Sequence, residues 1–237
     1  MRRAGLFVLA IAGLGFAAAA LASDAATAAR RGVASGQHRP RFAGYNPWGG
    51  TGYGEPVTIS ATTTFRVPKL RCGSADQAIA PSVRAYAMVA ALFVGCHGGK
   101  AHYWPRLEVN DSIKNYPAKT AHSGDTVVLW LNTRTDHVSV ADQTHRVKVS
   151  RTGPRENWFN NSAWIGDGGW TNSHGRLERV PDFGTLTYAN TKVYGESLRR
   201  SGWITGPFNR TSGRTLQIRT SLLSSSGEAF KTYFKHS

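Results

Sequence analysis

The sequence predicts an all-β protein, a sandwich of two antiparallel sheets within a single domain. Three observations support this prediction. Apolar residues alternate with polar ones at a period of two, turn residues separate these stretches, and no stretch keeps the 3.6-residue period of a helix. Many short strands with regular turn signals are typical of a β-sandwich.

The strand signals can be followed along the chain in order. Residues 86–94 are almost all apolar, as expected of a central strand buried on both faces. Asp142-Gln143-Thr144 separates two valine-containing stretches and indicates a hairpin. The predicted strands are 57–67, 86–94, 106–110, 126–133, 138–140, 147–149, 185–189, 216–222 and 229–234.

The stretch from 162 to 190 carries the densest information. Trp164-Ile165 reads as the end of a buried strand, and Gly166-Asp167-Gly168-Gly169 follows at once. Glycines around an aspartate are typical of a turn, so the spacing favours an ordinary Asp-Gly turn over a reactive carboxylate at Asp167.

The first 22 residues have the pattern of a secretory signal peptide. Arg2 and Arg3 precede an apolar run over 6–21, and small residues precede a cleavage site near Ala22. The run is too short and alanine-rich for a membrane span, and no later segment is apolar enough for one. We therefore expect a secreted protein. Its expected parts are a signal peptide at 1–22, a disordered lead or short pro-segment at 23–44, and a β-sandwich domain at 45–237.

The chain is strongly basic. It has 29 Lys and Arg against 14 Asp and Glu, a formal net charge of +15 and a pI near 10.4. Such a charge attracts polyanions, which makes anionic cell-wall polymers candidate partners. The basic residues are scattered and no nucleic-acid motif is present, so we expect no specific nucleic-acid partner. We expect a monomer.

Cys72 and Cys96 are the two cysteines of the chain, and in an oxidising compartment we expect them to form a disulfide. Export disfavours the alternative, a thiol nucleophile at Cys96. His97 and His102 have no third ligand at zinc-like spacing, so we expect no metal and no other cofactor.

Five stretches occur in an order that resembles a known family. They are NPWGG at 46–50, TTFRVP at 63–68, SGDTV at 123–127, AWIGD at 163–167 with DFGTLTYAN at 182–190, and LSSSGEAF at 223–230. This ordered set resembles the glutamic peptidases, or eqolisins, a family of secreted acid endopeptidases. The resemblance covers nearly the whole mature chain and implies a concanavalin-A-like β-sandwich.

The resemblance also implies a mechanism. In this family a glutamate activates water and later protonates the leaving amine, while a glutamine amide stabilises the oxyanion. The glutamate position falls on Asp167 and the glutamine position on Phe93. Phenylalanine has no donor, and losing one oxyanion donor costs about 2.7–4 kcal/mol of transition-state stabilisation. Aspartate is one methylene shorter, and a misplacement of about 1 Å costs about a hundredfold in rate. The sequence therefore predicts a peptidase-like cleft that has lost its activity and binds an extended polypeptide or glycan.

Two alternatives stay open. In one, an active acid endopeptidase uses Asp167 with Glu108, because two carboxylates in one cleft divide the acid and base roles. The competing interpretation of Glu108 is an ion pair with an arginine. In the other alternative, the chain is a basic cell-wall or polyanion-binding module.

Four aromatic residues are candidates for ligand binding. In a cleft such side chains stack on peptide or sugar, and elsewhere they pack in the core or at a rim. They are Trp48, Tyr103, Trp104 and Trp170.

Overall fold

The structure is a computed structural model that describes residues 37–39, 41–48, 58–154, 162–172, 174–201 and 203–236. The predicted signal peptide and most of the predicted lead lie outside the described residues. None of the described segments forms a helix long and apolar enough to cross a membrane.

All regular secondary structure in the described ranges is β. The first eight strands are β1 (Gln37–Arg39), β2 (Phe42–Trp48), β3 (Ser60–Arg66), β4 (Gln77–Ala85), β5 (Met88–His97), β6 (Lys100–Val109), β7 (Ser112–Asn115) and β8 (Thr126–Asn132). The remaining strands are β9 (His137–Asp142), β10 (Val147–Thr152), β11 (Trp164–Gly169), β12 (Thr185–Val193), β13 (Glu196–Ser197), β14 (Trp203–Ser212), β15 (Thr215–Thr220) and β16 (Phe230–Phe234).

One hydrogen-bonded path connects these strands in the order β10-β9-β8-β3-β12-β16-β15-β14-β2-β11-β4-β5-β6-β7. All its pairs are antiparallel, and only the short β1 adds to β14 in parallel. The path folds back on itself, because β8 and β9 from one part of it contact β4, β5 and β6 from the other part. The result is the predicted sandwich of two antiparallel layers. We call the layer β14-β2-β11-β4-β5-β6-β7 the cleft layer, because a cleft lies on its outer face.

The core lies between the layers and is built from every second residue of the facing strands. β8 shows the alternation most clearly, because Val127, Leu129 and Leu131 are buried while their neighbours are partly exposed. Leu92 and Leu107 of the cleft layer belong to the same core. Each fully buried side chain of this size contributes about 1.5–3 kcal/mol. The predicted hairpin around Asp142 is confirmed as β9 and β10.

The predicted disulfide is confirmed. Cys72 lies between β3 and β4, and Cys96 lies near the end of β5. The bond closes a loop across a sequence separation of 24 residues. In the chain-entropy model a loop of this size contributes about 3 kcal/mol to stability.

The ordered domain begins earlier than Tyr45, the residue at which it was predicted to start. β2 starts at Phe42, and Ala43 is fully buried between the neighbouring strands β11 and β14. The sequence pattern missed this start because the preceding residues are polar and show no alternation. Pairing on both sides, rather than local propensity, makes this segment a strand.

The turn predicted at Gly166–Gly169 is wrong, because β11 continues through Gly169. These glycines allow a close strand approach instead. Gly166 faces Gly44 of β2, and a Cβ built on Gly166 would lie 2.1 Å from the Ala43 carbonyl oxygen. Gly166 also has φ of +150°, a backbone conformation that is essentially restricted to glycine.

Candidate functional site

A cleft of about 470 Å³ lies on the outer face of the cleft layer, on the side opposite to the core. The strand register explains which side chains reach it. Ser82 of β4 faces Ala91 of β5, and Ala91 faces Arg106 of β6, so one row of side chains crosses three strands on the same face. The residues that line the cleft also include Phe42, Val89, Glu108, Trp164, Gly168 and Trp170.

The cleft is positively charged. Four arginines line it, and Glu108 is the one carboxylate among its lining residues. The arginines are Arg39, Arg41, Arg84 and Arg106. An anion in this cleft would therefore meet several guanidinium groups, which bind carboxylate or phosphate in a bidentate manner.

Arg106 is the most deeply placed of these cations. Burial lowers the pKa of Arg106, the Glu108 carboxylate opposes this effect, and the neighbouring positive charge of Arg84 adds to it. Its guanidinium lies 3.8 Å from a Glu108 carboxylate oxygen and 4.6 Å from the centre of the Trp170 ring. One carboxylate therefore faces two mutually repelling arginines, and an additional anion would relieve the excess positive charge.

An array of aromatic rings extends from the cleft into a smaller adjoining pocket. Phe93 stacks on Trp104 with 3.8 Å between ring centres, and its edge meets Trp170 at 4.6 Å. All three rings line the adjoining pocket of about 200 Å³, and Trp170 lines both pockets. Ring faces next to cations suit a ligand that combines negative charge with flat apolar surface.

Phe93 occupies the position that the resemblance assigns to the catalytic glutamine, and it does lie on the cleft face. Its ring packs against Trp104 and Trp170 and offers no hydrogen-bond donor. The position therefore supplies apolar surface where the peptidase mechanism needs an amide.

Asp167 points to the other side of the layer. It pairs with Pro81 of β4 and shares the inward face with Ile165, whereas Trp164 and Gly168 line the cleft. The carboxyl is fully buried between the layers. The Tyr188 hydroxyl donates a hydrogen bond of 2.5 Å to Asp167 Oδ1, while Oδ2 has no hydrogen-bond partner.

Burial raises the pKa of Asp167 to about 6, although the hydroxyls of Thr232 and Tyr188 and the charge of Arg210 act in the opposite direction. Arg210 is itself fully buried, and burial lowers its pKa to about 10. Its Nε donates to Gln217 Oε1 at 3.2 Å, and Nη2 donates to the Glu178 carbonyl at 3.1 Å. Asp167 is thus part of a polar cluster in the interior, not of the cleft.

The structure does not bring Asp167 and Glu108 together, since alternation along the strands sends them to opposite faces of one layer. Glu108 lines the cleft and also forms the arginine ion pair that was its competing interpretation. A two-carboxylate site made from this pair is therefore absent from the described structure.

Of the aromatic residues predicted to bind a ligand, two line a pocket and one lies in the core. Trp170 lines the cleft, and Trp104 lines the adjoining pocket. Tyr103 does not line either pocket, because its side chain belongs to the core and its hydroxyl donates to the Pro68 carbonyl at 2.9 Å. The side chain of Trp48 lies outside the described part of the structure.

Sequence reasoning missed the convergence of the arginines. Arg39 and Arg41 lay in the segment expected to be disordered, and Arg84 and Arg106 are single basic residues in two separate strands. One signal was available. Ser82 and Arg84 are polar at a period of two within an otherwise apolar strand, which indicates a solvated face.

Comparison with known proteins supports the fold. Neither a protein-family model nor a curated protein sequence matches this chain. Scytalido-glutamic peptidase with a peptide-based transition-state analogue aligns with a TM-score of 0.61 and 16% identity, over 83% of this chain and 99% of that chain. The same peptidase with a transition-state analogue inhibitor gives a TM-score of 0.60, 17% identity, and coverage of 83% and 99%.

Aspergilloglutamic peptidase from Aspergillus niger also matches, with a TM-score of 0.48, 16% identity, and coverage of 75% of this chain and 99% of that chain. The two alignments to scytalido-glutamic peptidase confirm a glutamic-peptidase-like β-sandwich. At this identity the similarity extends to the fold alone.

Proposed function

We propose that this chain is an exported binding protein with a glutamic-peptidase-like fold, in which the peptidase activity is lost. Its cleft binds an extended polypeptide or glycan that carries negative charge, such as an anionic cell-wall polymer. The observation that carries the proposal is the set of four arginines around one carboxylate in the cleft.

The charge of the cleft supports an anionic ligand. Arg84 is exposed and Arg106 is partly buried beside Trp170, so the cleft offers both an exposed and a partly buried cation. A hydrogen bond to a charged group contributes about 1.5–3 kcal/mol. Several such contacts, together with stacking on Trp164 and Trp170, are sufficient for specific binding of a repeating acidic polymer.

Loss of peptidase activity is supported by three placements. Phe93 has no donor, Asp167 is fully buried on the inner face, and Glu108 is already paired with Arg106. Water activation needs a base within hydrogen-bond reach of the cleft, and a second group must stabilise the oxyanion. Neither of the two positions that the resemblance assigns to the peptidase pair, Phe93 and Asp167, supplies a catalytic group to the cleft.

Export is supported by the signal-peptide pattern at 1–22 and by the disulfide between Cys72 and Cys96, a bond that persists in oxidising compartments. We propose that the mature protein acts as a monomer and that binding in the cleft needs no cofactor.

A binding experiment tests the proposal. Polyglutamate and polygalacturonate represent an acidic polypeptide and an acidic glycan, a neutral glucan serves as the uncharged control, and tryptophan fluorescence reports binding through Trp164 and Trp170. We expect both acidic polymers to bind in preference to the glucan. Arg84→Ala is expected to weaken this binding by about tenfold or more, because it removes one charge-assisted contact.

Arg214→Ala is the matched control, since Arg214 is exposed in the turn between β14 and β15 and does not line the cleft. If Arg84→Ala and Arg214→Ala weaken polymer binding equally, the polymers are attracted to the whole basic surface, which would contradict a binding site in the cleft. A parallel assay on denatured protein between about pH 2 and pH 8 tests the loss of activity. If the wild type cleaves the denatured protein and the Glu108→Gln variant does not, the proposed loss of peptidase activity is wrong.

A further inference from the structure

Two histidines and two aspartates meet where two turns of the other layer come together, and none of them lines the cleft. His122 and Asp125 belong to the turn that precedes β8, Asp142 is the last residue of β9, and His145 belongs to the β9–β10 hairpin turn. One nitrogen from each of His122 and His145 and one carboxylate oxygen of Asp125 lie within 4.8 Å of one another. Sequence spacing did not reveal this group, because its members come from separate turns.

The distances suit a small divalent metal. Asp125 Oδ2 lies 3.5 Å from His122 Nδ1 and 3.2 Å from His145 Nδ1. Bonds of about 2.0–2.2 Å in a tetrahedral zinc site place neighbouring ligand atoms about 3.3 Å apart. Asp142 Oδ2 is hydrogen-bonded to His145 Nδ1 at 2.9 Å, so a metal bound at this nitrogen would replace that hydrogen bond and have a fourth oxygen next to it.

The charges of the cluster also favour a cation. The side chains of Asp125 and Asp142 are only 6% and 8% exposed, and their ion-pair partners within the described residues are the two histidines. A dication next to both aspartates would balance their buried negative charge. The two histidine side chains are 67% and 49% exposed, so the site is open to a metal from solution.

Backbone contacts already hold the aspartates in place. The His122 N–H donates to Asp125 Oδ2 at 2.6 Å, and the Val67 N–H donates to the Asp125 carbonyl at 2.8 Å. The N–H groups of Thr144 and His145 donate to Asp142 Oδ1 at 2.9 and 3.2 Å. The turns are also joined directly, because the Gln143 N–H donates to the Thr126 carbonyl at 2.8 Å. A metal would therefore meet ligands that are largely pre-oriented.

We propose that His122, Asp125 and His145 bind a divalent transition metal of the zinc class, with Asp142 or a water as the fourth ligand. The metal would link the turn before β8 to the β9–β10 hairpin and stabilise this end of the sandwich. No residue of the site takes part in the proposed cleft binding, so the two proposals stand or fall separately.

Zinc titration of the metal-free full chain by calorimetry tests this proposal, with the unfolding temperature measured alongside. We expect one Zn²⁺ per chain and a higher unfolding temperature with zinc. His122→Ala and His145→Ala should each weaken binding by about tenfold or more and remove the thermal shift, since each removes one ligand. Both histidines are exposed, so these variants should fold.

His97→Ala is the matched control, because His97 is an exposed histidine paired with Asp76 outside the cluster. It should bind zinc as the wild type does. Absence of zinc binding would overturn the proposal, and so would binding that both cluster variants retain. Loss of binding in His97→Ala alone would place the metal elsewhere and would overturn it as well.

Discussion

Asp167 shows how strongly the position of a single residue decides its role. Its neighbours Trp164 and Gly168 face the cleft, yet its own carboxyl lies between the layers with Tyr188 and Arg210. Oδ1 accepts one hydrogen bond, while Oδ2 has no partner. An ionised carboxylate is costly in such a place, because the hydroxyls of Thr232 and Tyr188 and the charge of Arg210 replace its hydration only in part. The residue therefore matters for stability more than for chemistry in the cleft.

Asp167→Asn should change the pH dependence of stability. The folded-state pKa is about 6, above the ordinary value of 3.8. Below about pH 3.8 both the folded and unfolded carboxyls are protonated, and the shift has no effect. Between these two pKa values the Asp167 carboxyl is ionised in the unfolded state and still protonated in the folded state, so the free energy of unfolding falls as the pH rises. Above pH 6 the full loss of about 3 kcal/mol is present. Urea unfolding at a series of pH values should show this fall in the wild type and not in the variant.

Arg210 does not disturb this comparison. With a pKa of about 10 it stays charged throughout that pH range, so the loss of its counter-charge shifts the variant's stability by a constant amount. Glu196→Gln, at an exposed carboxylate, is the control and should keep the wild-type slope. Parallel curves for the wild type and Asp167→Asn would contradict the prediction.

Among the elements, the contact between β2 and β11 depends most on glycine. Gly44 and Gly166 face each other in the ladder, and both have backbone conformations that side chains rarely adopt. Without Cβ atoms the two strands approach closely and hold the middle of the cleft layer together. Phe42 and Trp164 then pack edge to face with 5.1 Å between their ring centres and form one wall of the cleft.

Gly166→Ala should be strongly destabilising. The new Cβ would lie 2.1 Å from the Ala43 carbonyl oxygen and 2.8 Å from the Gly44 Cα, so backbone atoms would have to move. Together with the positive φ, we expect a loss of about 3 kcal/mol or more in the free energy of unfolding. Gly73→Ala is the control, since a Cβ there meets nothing within 4 Å. Thermal or urea unfolding of the two variants measures the difference, and similar losses in both would argue against the close approach.

Some of the strands could be predicted from the sequence, and others could not. β3 and β8 followed from alternation, because each has one more buried and one more solvated face, and the β9–β10 hairpin followed from its turn residues. β11 was cut short because glycines usually signal turns, and the pairing of Gly166 with Gly44 becomes apparent only in three dimensions.

The cleft itself depends on register between strands that are far apart in sequence. Arg84 and Arg106 reach one face because β4 pairs with β5, and β5 with β6, in a particular alignment. Slipping either pair by one residue would put Arg84 and Arg106 on opposite faces of the layer. Local sequence patterns do not encode that alignment, so the fold class was predictable while the cleft and the histidine cluster were not.

At the scale of the whole molecule, the segment that forms β1 and β2 contributes both to the fold and to the cleft. β2 lies within the cleft layer between β11 and β14, and β1 adds to the edge of β14. The same segment supplies Arg39 and Arg41 to the cleft. A stretch expected to precede the domain is therefore both a structural strand and part of the proposed binding surface.

A chain that starts at Tyr45 should consequently be much less stable than one that starts at Gln37. The shorter chain lacks Phe42, the buried Ala43 and Gly44, and it leaves β11 and β14 without part of their partner strand. We expect a loss of at least about 3 kcal/mol from a total stability that is typically about 5–15 kcal/mol. Urea unfolding of both purified chains measures this difference in the free energy of unfolding.

The control is the chain that starts at Gln37 and carries both Arg39→Ala and Arg41→Ala. It should be as stable as the unsubstituted Gln37 chain but bind acidic polymers more weakly. Equal stability of the Tyr45 and Gln37 chains would mean that β2 contributes little to the fold, and the domain would then begin where the sequence pattern placed it.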